Sequence, residues 1–348
     1  MSEEKQKESR MLKKRKARNK KKIILLCILI PITVIFITTL SYSAYIYFKV
    51  EQTVDESYKN VGRENEVSNL REEPIDPMID NVSILIIGVD DSERRGYEEQ
   101  SRSDTLILAT FNKEQEDIKL LSIPRDTYAY VPEVDYYTKI NHAHFYGGAK
   151  AAIETVEEFL HVPVDYYVRL NFEAFIEVID SLGGIHYDVP FEMYEMDSKD
   201  KKDAIHLLPG YQKINGEEAL ALARTRKYDS DIERGKRQQE IIKTVIKEAA
   251  SASTVFKLSE LIDSVGKNMT TNLTFEDMKT FASYGLSTDL SISSLNLDGY
   301  GGYMDDGLWY YVADEESRSE IEITLKDHLD LESNAENYDD IQSIQRLY

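Results

Sequence analysis

With one cysteine, one tryptophan and eight prolines in 348 residues, this chain is defined first by what it leaves out. The single cysteine, Cys27, sits in an apolar run near the N-terminus. The rest therefore has no disulfide, no thiolate metal site and no cysteine nucleophile. Neither G-x-S-x-G, GxxxxGKS/T nor GxGxxG occurs, so the hydrolase elbow, the P-loop and the dinucleotide fold lack their fingerprints. Positive charge is scarce as well. The net charge is −21, yet the first 22 residues carry eleven Lys and Arg against three Glu, leaving −29 on the other 326. Such an acidic body is no general anion-binding surface, and any cationic cluster in it has to be local. No internal repeat is visible.

What is present begins with residues 23–48, 26 positions without a charge. As a helix this stretch is about 39 Å long, enough for a hydrocarbon core of about 30 Å with some tilt. Pro31 is tolerable in such a helix, and Tyr42, Tyr45 and Tyr47 crowd its far end as interfacial aromatics do. A cleavable signal peptide would have a shorter apolar region and a small-residue cleavage site, which SYSAYIYF does not supply. The expectation is an uncleaved transmembrane signal anchor of a single-pass type II protein of the cell membrane. Residues 1–22 are then a basic cytoplasmic tail held near anionic lipid, with the rest of the chain beyond the anchor extracellular and nucleic acid excluded as a partner. Residues 49–80, polar with two prolines near their end, read as an extracellular stalk. Residues 81–330 read as one domain in which 251–330 form a C-terminal extension, and 331–348 as an acidic tail.

Within the domain, VSILIIGV, DTLILATF and EDIKLLSIP are strand-like, the last two joined through NKEQ. Helical stripes follow in GGAKAAIETVEEFLH and, after the strand VDYYVRL, in NFEAFIEVIDSLGG with Asn171 as N-cap. GGIHYDVP is again a strand. INGEEALALA, IERGKRQQEIIKTVIKEAA and TFEDMKTFASYG read as helices, the last with a Thr274–Asp277 capping box. DLSISSLNL and GLWYYVAD read as late strands, and SRSEIEITLKDHL as a closing helix. Strands alternating with helices predict an α/β domain whose helices cover a mostly central sheet.

Against the acidic background, residues 223–240, ARTRKYDSDIERGKRQQE, hold six Lys and Arg in eighteen. Arg224 and Arg226 share a face if their backbone is extended. Asp231, Arg234 and Gln238 stand at i, i+3 and i+7, and the same stripe continues through Ile241, Ile242, Val245 and Ala249. The polar trio thus extends a core-facing stripe, where unpaired charge is expensive unless a ligand meets it. A bland alternative is an Asp231–Arg234 pair at a frayed helix end, worth about 0.3–0.5 kcal/mol. Other clusters favour the ligand. Arg125 and Asp126 follow an apolar strand, at the end where ligands gather in α/β sheets. Asp90 closes the first strand, and Arg102 and Asp104 open the next. If those two strands are antiparallel neighbours, Asp90 and Asp104 converge. Two carboxylates suit a hard divalent cation that also takes phosphate oxygens. With the arginines and Lys139 they describe a pocket for a pyrophosphate-bearing substrate. His142 and His144 form an HxH with no third ligand in view, so a packing or surface role is expected. The 23 tyrosines show no stacking spacing beside basic residues and read as core or interface.

The ordered blocks GVDD, RSDTLIL, LLSIPRDTY, KINHAHFYGG, LLPGYQKINGEEALALARTR and D-ER-KRQQ, over about 82–250, resemble the LytR-CpsA-Psr family of cell-envelope proteins, specifically its teichoic acid transferases. The resemblance implies an α-β-α sandwich with a central mixed sheet and an apolar cavity for a polyprenyl tail. It implies a phosphotransferase, of the 2.7.8 type, that moves an anionic glycopolymer from undecaprenyl pyrophosphate to the C6 hydroxyl of muramic acid in peptidoglycan. By motif, Asp90 and Asp104 match the positions implicated in binding Mg²⁺ (or Mn²⁺). Arg125, Arg224, Arg226 and Arg234 match the pyrophosphate-binding arginines, Gln238 a polar partner and Asp231 a further acidic pocket residue. Arg102 and Lys139 are added as substrate-binding. The alternatives are a membrane-anchored sensor of lipid-linked intermediates and a polyprenyl pyrophosphatase.

Overall fold

The computed structural model describes residues 2–63, 66–90, 101–228, 230–249, 265–285 and 290–331. It divides into two compact units, Met1–Glu51 and Gln52–Tyr348. The helix α1, Ser2–Ser57, supplies the first unit and opens the second. Its portion Leu29–Ser57, with a mean hydropathy of 1.7, is long and apolar enough to cross a membrane by length and composition. The hydroxyls of Thr33 and Thr39 donate to carbonyls one turn back, at 2.8 Å each. Those bonds spare the side chains an unsatisfied donor in an apolar medium.

The second unit is built on six strands, β1 (Val82–Val89), β2 (Ser103–Asn112), β3 (Asp117–Ser122), β6 (Tyr166–Leu170), β11 (Met269–Thr271) and β12 (Ser291–Asn296). Their order is β11-β6-β1-β2-β3-β12. β1 pairs antiparallel with β2 and parallel with β6, and β12 runs parallel to β3, so the sheet is mixed. The unbroken apolar run of β1 follows from burial on both faces. Leu85, Ile87, Leu106, Leu108 and Leu121 point to one side. There they meet α2 (His142–Leu160) through Ile153, Val156 and Leu160, and the closing helix α7 (Glu315–His328) through Ile321 and Leu325. Ile107, Ala109, Ile118 and Leu120 point to the other, toward Ile242 and Ile246 of α5 (Asp231–Ala249). The helix–sheet–helix layering makes the sandwich that the resemblance implies.

The elements around these layers include the hairpin β4 (Tyr128–Val131) with β5 (Tyr136–Lys139). After α3 (Phe172–Ser181) come β7 (Ile185–Val189), β8 (Met193–Glu195), β9 (Ile205–Leu207), β10 (Gly210–Ile214) and α4 (Gly216–Arg224). α6 (Phe275–Gly285), β13 (Gly299–Tyr303) and β14 (Trp309–Ala313) follow later. Asn171 caps α3 by accepting from Ala174 N, and Asn215 with Glu218 forms a capping box on α4. The Thr274–Asp277 pair caps α6 as expected. At Gly147–Gly148 the helix α2 is broken, Gly148 having φ +64.

The segment read as a stalk makes contacts of its own within the second unit. Arg71 grips Asp165 with both forks (3.0 and 2.7 Å) at side-chain exposures of 7% and 4%. Arg63 pairs with Glu157 at 3.0 Å, and Tyr58 forms a bridge with Thr271. A charge that pairs inside reads, in sequence, like one that faces water. Within the C-terminal extension, β11 and β12 are the two outer strands of the main sheet.

Candidate active site

Between the sheet and the helices α3, α4 and α5 lies a cavity of about 480 Å³. Its floor is the face of the sheet carrying Ile84, Ile86, Ala109, Phe111, Val168 and Leu170. Phe172, Phe175 and Val178 of α3, Leu220 of α4, and Ile241, Ile242, Val245 and Ile246 of α5 complete an apolar lining. At one end the lining turns polar, with Asp90, Asp104, Arg125, Arg224, Arg226, Arg234 and Gln238. Four guanidiniums face two carboxylates there, so that end is cationic while the interior is apolar.

Each polar group arrives by a definable route. The antiparallel register Val89↔Ser103, with an irregularity after Gly88, brings the end of β1 beside the start of β2. Asp90 and Asp104 therefore converge as expected. Arg125 follows β3 and donates to Asp104 from Nη1. Arg224 is the last residue of α4, helical rather than extended, and Thr225 turns the chain out at ψ 138 so that Arg226 joins the same end. The guanidinium of Arg224 lies over the Phe172 ring, 4.5 Å from its centroid. Arg234, 5% exposed, comes from the first turn of α5, and Gln238 one turn on donates to the carbonyl of Ala223 at 3.1 Å. The smallness of Gly235 lets α5 approach β3, since a Cβ there would stand 3.0 Å from Ser122 Oγ. Gln239 fastens the helix to the sheet through the carbonyls of Leu120 (3.1 Å) and Leu295 (2.9 Å).

Seven of the ten residues singled out in sequence thus line one cavity. Arg102 is exposed and is not among those lining it. Lys139 is engaged with Asp126 at 2.9 Å, beside the cavity and not in it. Asp231 opens α5, and its side chain lies outside the described residues.

The sequence reading missed the groups that hold the arginines in place. Arg237, 5% exposed, donates to the carbonyls of Leu222 (3.1 Å) and Thr225 (2.8 Å), which satisfies the C-terminus of α4. Glu195 of β8 accepts from Thr225 Oγ1 at 2.6 Å and from Lys227 Nζ at 3.0 Å, pinning both neighbours of Arg226. The only signal available was that Arg237 stands three residues beyond Arg234 on one helix face.

Among the described residues no group of three or more His, Cys, Asp or Glu is arranged to hold a metal. A cage made wholly by protein therefore does not fit. A hard cation that takes one or two carboxylates and completes its shell with phosphate and water does fit Asp90 and Asp104. The histidines behave as packing groups. His144 is 2% exposed, with Nδ1 at 2.7 Å from the carbonyl of Ser101, and Arg169 Nε donates to its Nε2 at 3.3 Å. Burial first, then the Arg102 and Lys139 charges, push His142 down to about 4.

The chain is similar to known proteins over most of its length. The model of the LytR_cpsA_psr family matches residues 44–327. The polyisoprenyl-teichoic acid–peptidoglycan teichoic acid transferase TagT of Bacillus subtilis is 36% identical over 293 residues, 83% of this chain and 89% of the relative. A solved structure described as TagT bound to LIIa-WTA superposes with a TM-score of 0.67 at 36% identity, covering 76% of this chain and 97% of that one. Another, described as YwtF (TagT) with bound octaprenyl pyrophosphate lipid, gives 0.62 at 33% identity, with 76% and 97% covered.

Proposed function

Because the chain belongs to the LytR-CpsA-Psr family, we propose that it is a transferase that moves a teichoic acid from a polyisoprenyl pyrophosphate carrier to peptidoglycan. The observation that carries this reading is a single cavity that is apolar along its length and lined by four arginines at one end. A pyrophosphate with a long hydrocarbon tail has the same two-part chemistry. Its tail removes apolar surface from water at about 25 cal/mol per Å². Its head meets planar guanidinium forks that bind phosphate oxygens in pairs.

In this reading Arg125, Arg224, Arg226 and Arg234 hold the diphosphate, and Gln238 supplies a neutral donor beside them. The attacking hydroxyl, the C6 hydroxyl of muramic acid, forms a bond to the phosphorus nearest the polymer. The bond to the bridging oxygen breaks, and polyprenyl phosphate leaves with the electron pair. Guanidiniums preorganised at the leaving oxygens stabilise the charge that grows there. Asp90 and Asp104 would hold Mg²⁺ or Mn²⁺, which when bound neutralises phosphate charge. Asp231 is the candidate to take the proton of the hydroxyl. The apolar portion of α1 anchors the protein in a type II orientation, with the catalytic unit outside the cell where carrier and wall meet.

The test is a transfer assay with full-length protein in proteoliposomes, a lipid-pyrophosphate-linked polymer and peptidoglycan oligomers, the product identified by mass. Arg125→Ala and Arg224→Ala are expected to lower the rate about 100-fold. Wild-type rates in both would overturn the assignment, and release of free polymer in place of conjugate would identify water as the acceptor. Manganese binding followed by electron paramagnetic resonance should weaken in Asp104→Asn.

A further inference from the structure

Among the described residues no tyrosine lines the cavity, and four of them, Tyr128, Tyr130, Tyr136 and Tyr137, lie on one hairpin. β4 emerges from the loop that carries Arg125 and pairs with β5 in the register Tyr128↔Lys139 and Tyr130↔Tyr137. Cross-strand partners project to the same side, so one face presents three tyrosines and a lysine. Tyr137 stacks on Tyr128 with ring centroids 5.3 Å apart at 27°, and leans on Tyr130 at 5.4 Å. Tyr310 of β14 meets Tyr128 edge-on at 5.2 Å. The reverse side of the hairpin is anchored through Ala129 and Val131, at 2% and 0% exposure, whereas Tyr137 is 58% exposed. The rings are braced from below and open above.

We propose that this aromatic face is the docking platform for the sugar backbone of the acceptor, a β-linked strand of N-acetylated hexosamines. The inference rests on the transferase reading and adds where the second substrate binds. A pyranose ring presents a face of weakly positive C–H groups that complements the electron-rich face of a tyrosine. Phenol hydroxyls at the ring edges can bond sugar hydroxyls and acetamido groups. Tyrosine gives this contact area at low entropic cost, having two rotatable bonds. Position supports the choice. Lys139, on the platform, pairs at 2.9 Å with Asp126, whose neighbour Arg125 lines the cavity mouth. A glycan lying along the hairpin would thus end at the phosphate site. A lipid headgroup layer fits less well, because the hairpin tip exposes Glu133 and Asp135 and no exposed aliphatic side chain accompanies its tyrosines. Anionic lipid repels such a tip.

The experiment uses full-length protein in proteoliposomes, with chitohexaose as the probe, followed by saturation-transfer NMR. Saturation is expected to reach the sugar ring protons in the wild type. Tyr137→Ala should weaken binding about tenfold, the scale of a lost aromatic anchor. Tyr137→Phe, which keeps the ring, should stay within about threefold. Octaprenyl pyrophosphate binding, measured on the same samples, should not change. Absent saturation in the wild type, equal affinity in Tyr137→Ala, or parallel loss of prenyl pyrophosphate binding would each overturn the platform. Quenching of the single tryptophan, Trp309, by brominated phospholipid that vanishes in Tyr137→Ala would overturn it by assigning the face to the membrane. If chitohexaose binds through Tyr137 but no polymer is transferred, the platform stands and the transferase reading falls. If Tyr137→Ala transfers polymer with unchanged acceptor KM, the reverse holds.

Discussion

Arg224 rests on the face of Phe172, its guanidinium carbon 4.5 Å from the ring centroid, so a cavity arginine is oriented by a residue that also lines the apolar wall. Such a contact is worth about 0.5–2 kcal/mol, depending on its desolvation. Phe172→Leu keeps the wall apolar and removes the ring. It is expected to slow polymer transfer about threefold to thirtyfold with little change in melting temperature. Steady-state kinetics beside a thermal melt checks both halves.

Arg237 should behave in the opposite way, as a group that matters to folding before it matters to chemistry. It is buried and supplies two charged hydrogen bonds to the last carbonyls of α4. Arg237→Ala is expected to cost about 2–4 kcal/mol in urea unfolding, since the carbonyls are left without donors. Arg237→Lys, which cannot reach both, should recover less than half of that loss.

The length of the cavity gives a separable test of its two ends. Val245→Trp places a large ring among Ile241, Ile242 and Ile246 in the lining. Overpacking of this kind is expected to cost about 1–3 kcal/mol of stability. It should also abolish binding of octaprenyl pyrophosphate, measured by calorimetry, while inorganic pyrophosphate still binds at the arginine end. Loss of both ligands would mean that the two ends do not bind separately, and unchanged octaprenyl pyrophosphate binding that the apolar lining is not where the tail lies.

His142 predicts a pH effect on stability. Its value of about 4 in the folded protein lies below the ordinary 6.5, the largest cause being burial. The unfolded chain therefore binds more protons between those values. His142 contributes full stability above pH 6.5, and that contribution is lost as pH falls toward 4. Since the ring is only half-buried, solvent screening reduces the effect to about 1 kcal/mol. His142→Gln should flatten this limb in denaturant titrations between pH 6.5 and 4. His328 is also lowered by burial, so some acid limb should persist in the variant.

Much of this arrangement could be read in sequence because periodicity carries it. The stripe of Arg234, Gln238, Ile241 and Val245 places polar and apolar cavity groups on one helix face, and the structure keeps them together. Asp90 and Asp104 were conditional on an antiparallel pairing that β1 and β2 make. What the sequence did not reveal are relations between segments that are separate in the chain. Arg71 and Asp165 look hydrophilic in sequence, yet each buries the other's charge. β12, with the burial pattern of a solvent-facing edge, carries SISSLN and gives no sign of the strand it will join. The tyrosines of β4 and β5 stack across strands, a relation that spacing along one strand cannot express.

The placement of β11 and β12 at the two margins of the main sheet has a bearing on how the protein comes into being. Every described side chain of the large cavity precedes residue 250, yet β6 and β3 each wait for a partner that is synthesised later, at 269–271 and 291–296. Until those segments have been made, a nascent chain holds a half-finished sheet with hydrogen-bonding groups bare along both sides. Such ribbons invite pairing with neighbouring copies. Binding competence is consequently a property acquired late, and a fragment stopped at 250 would carry the pocket's residues into a precipitate.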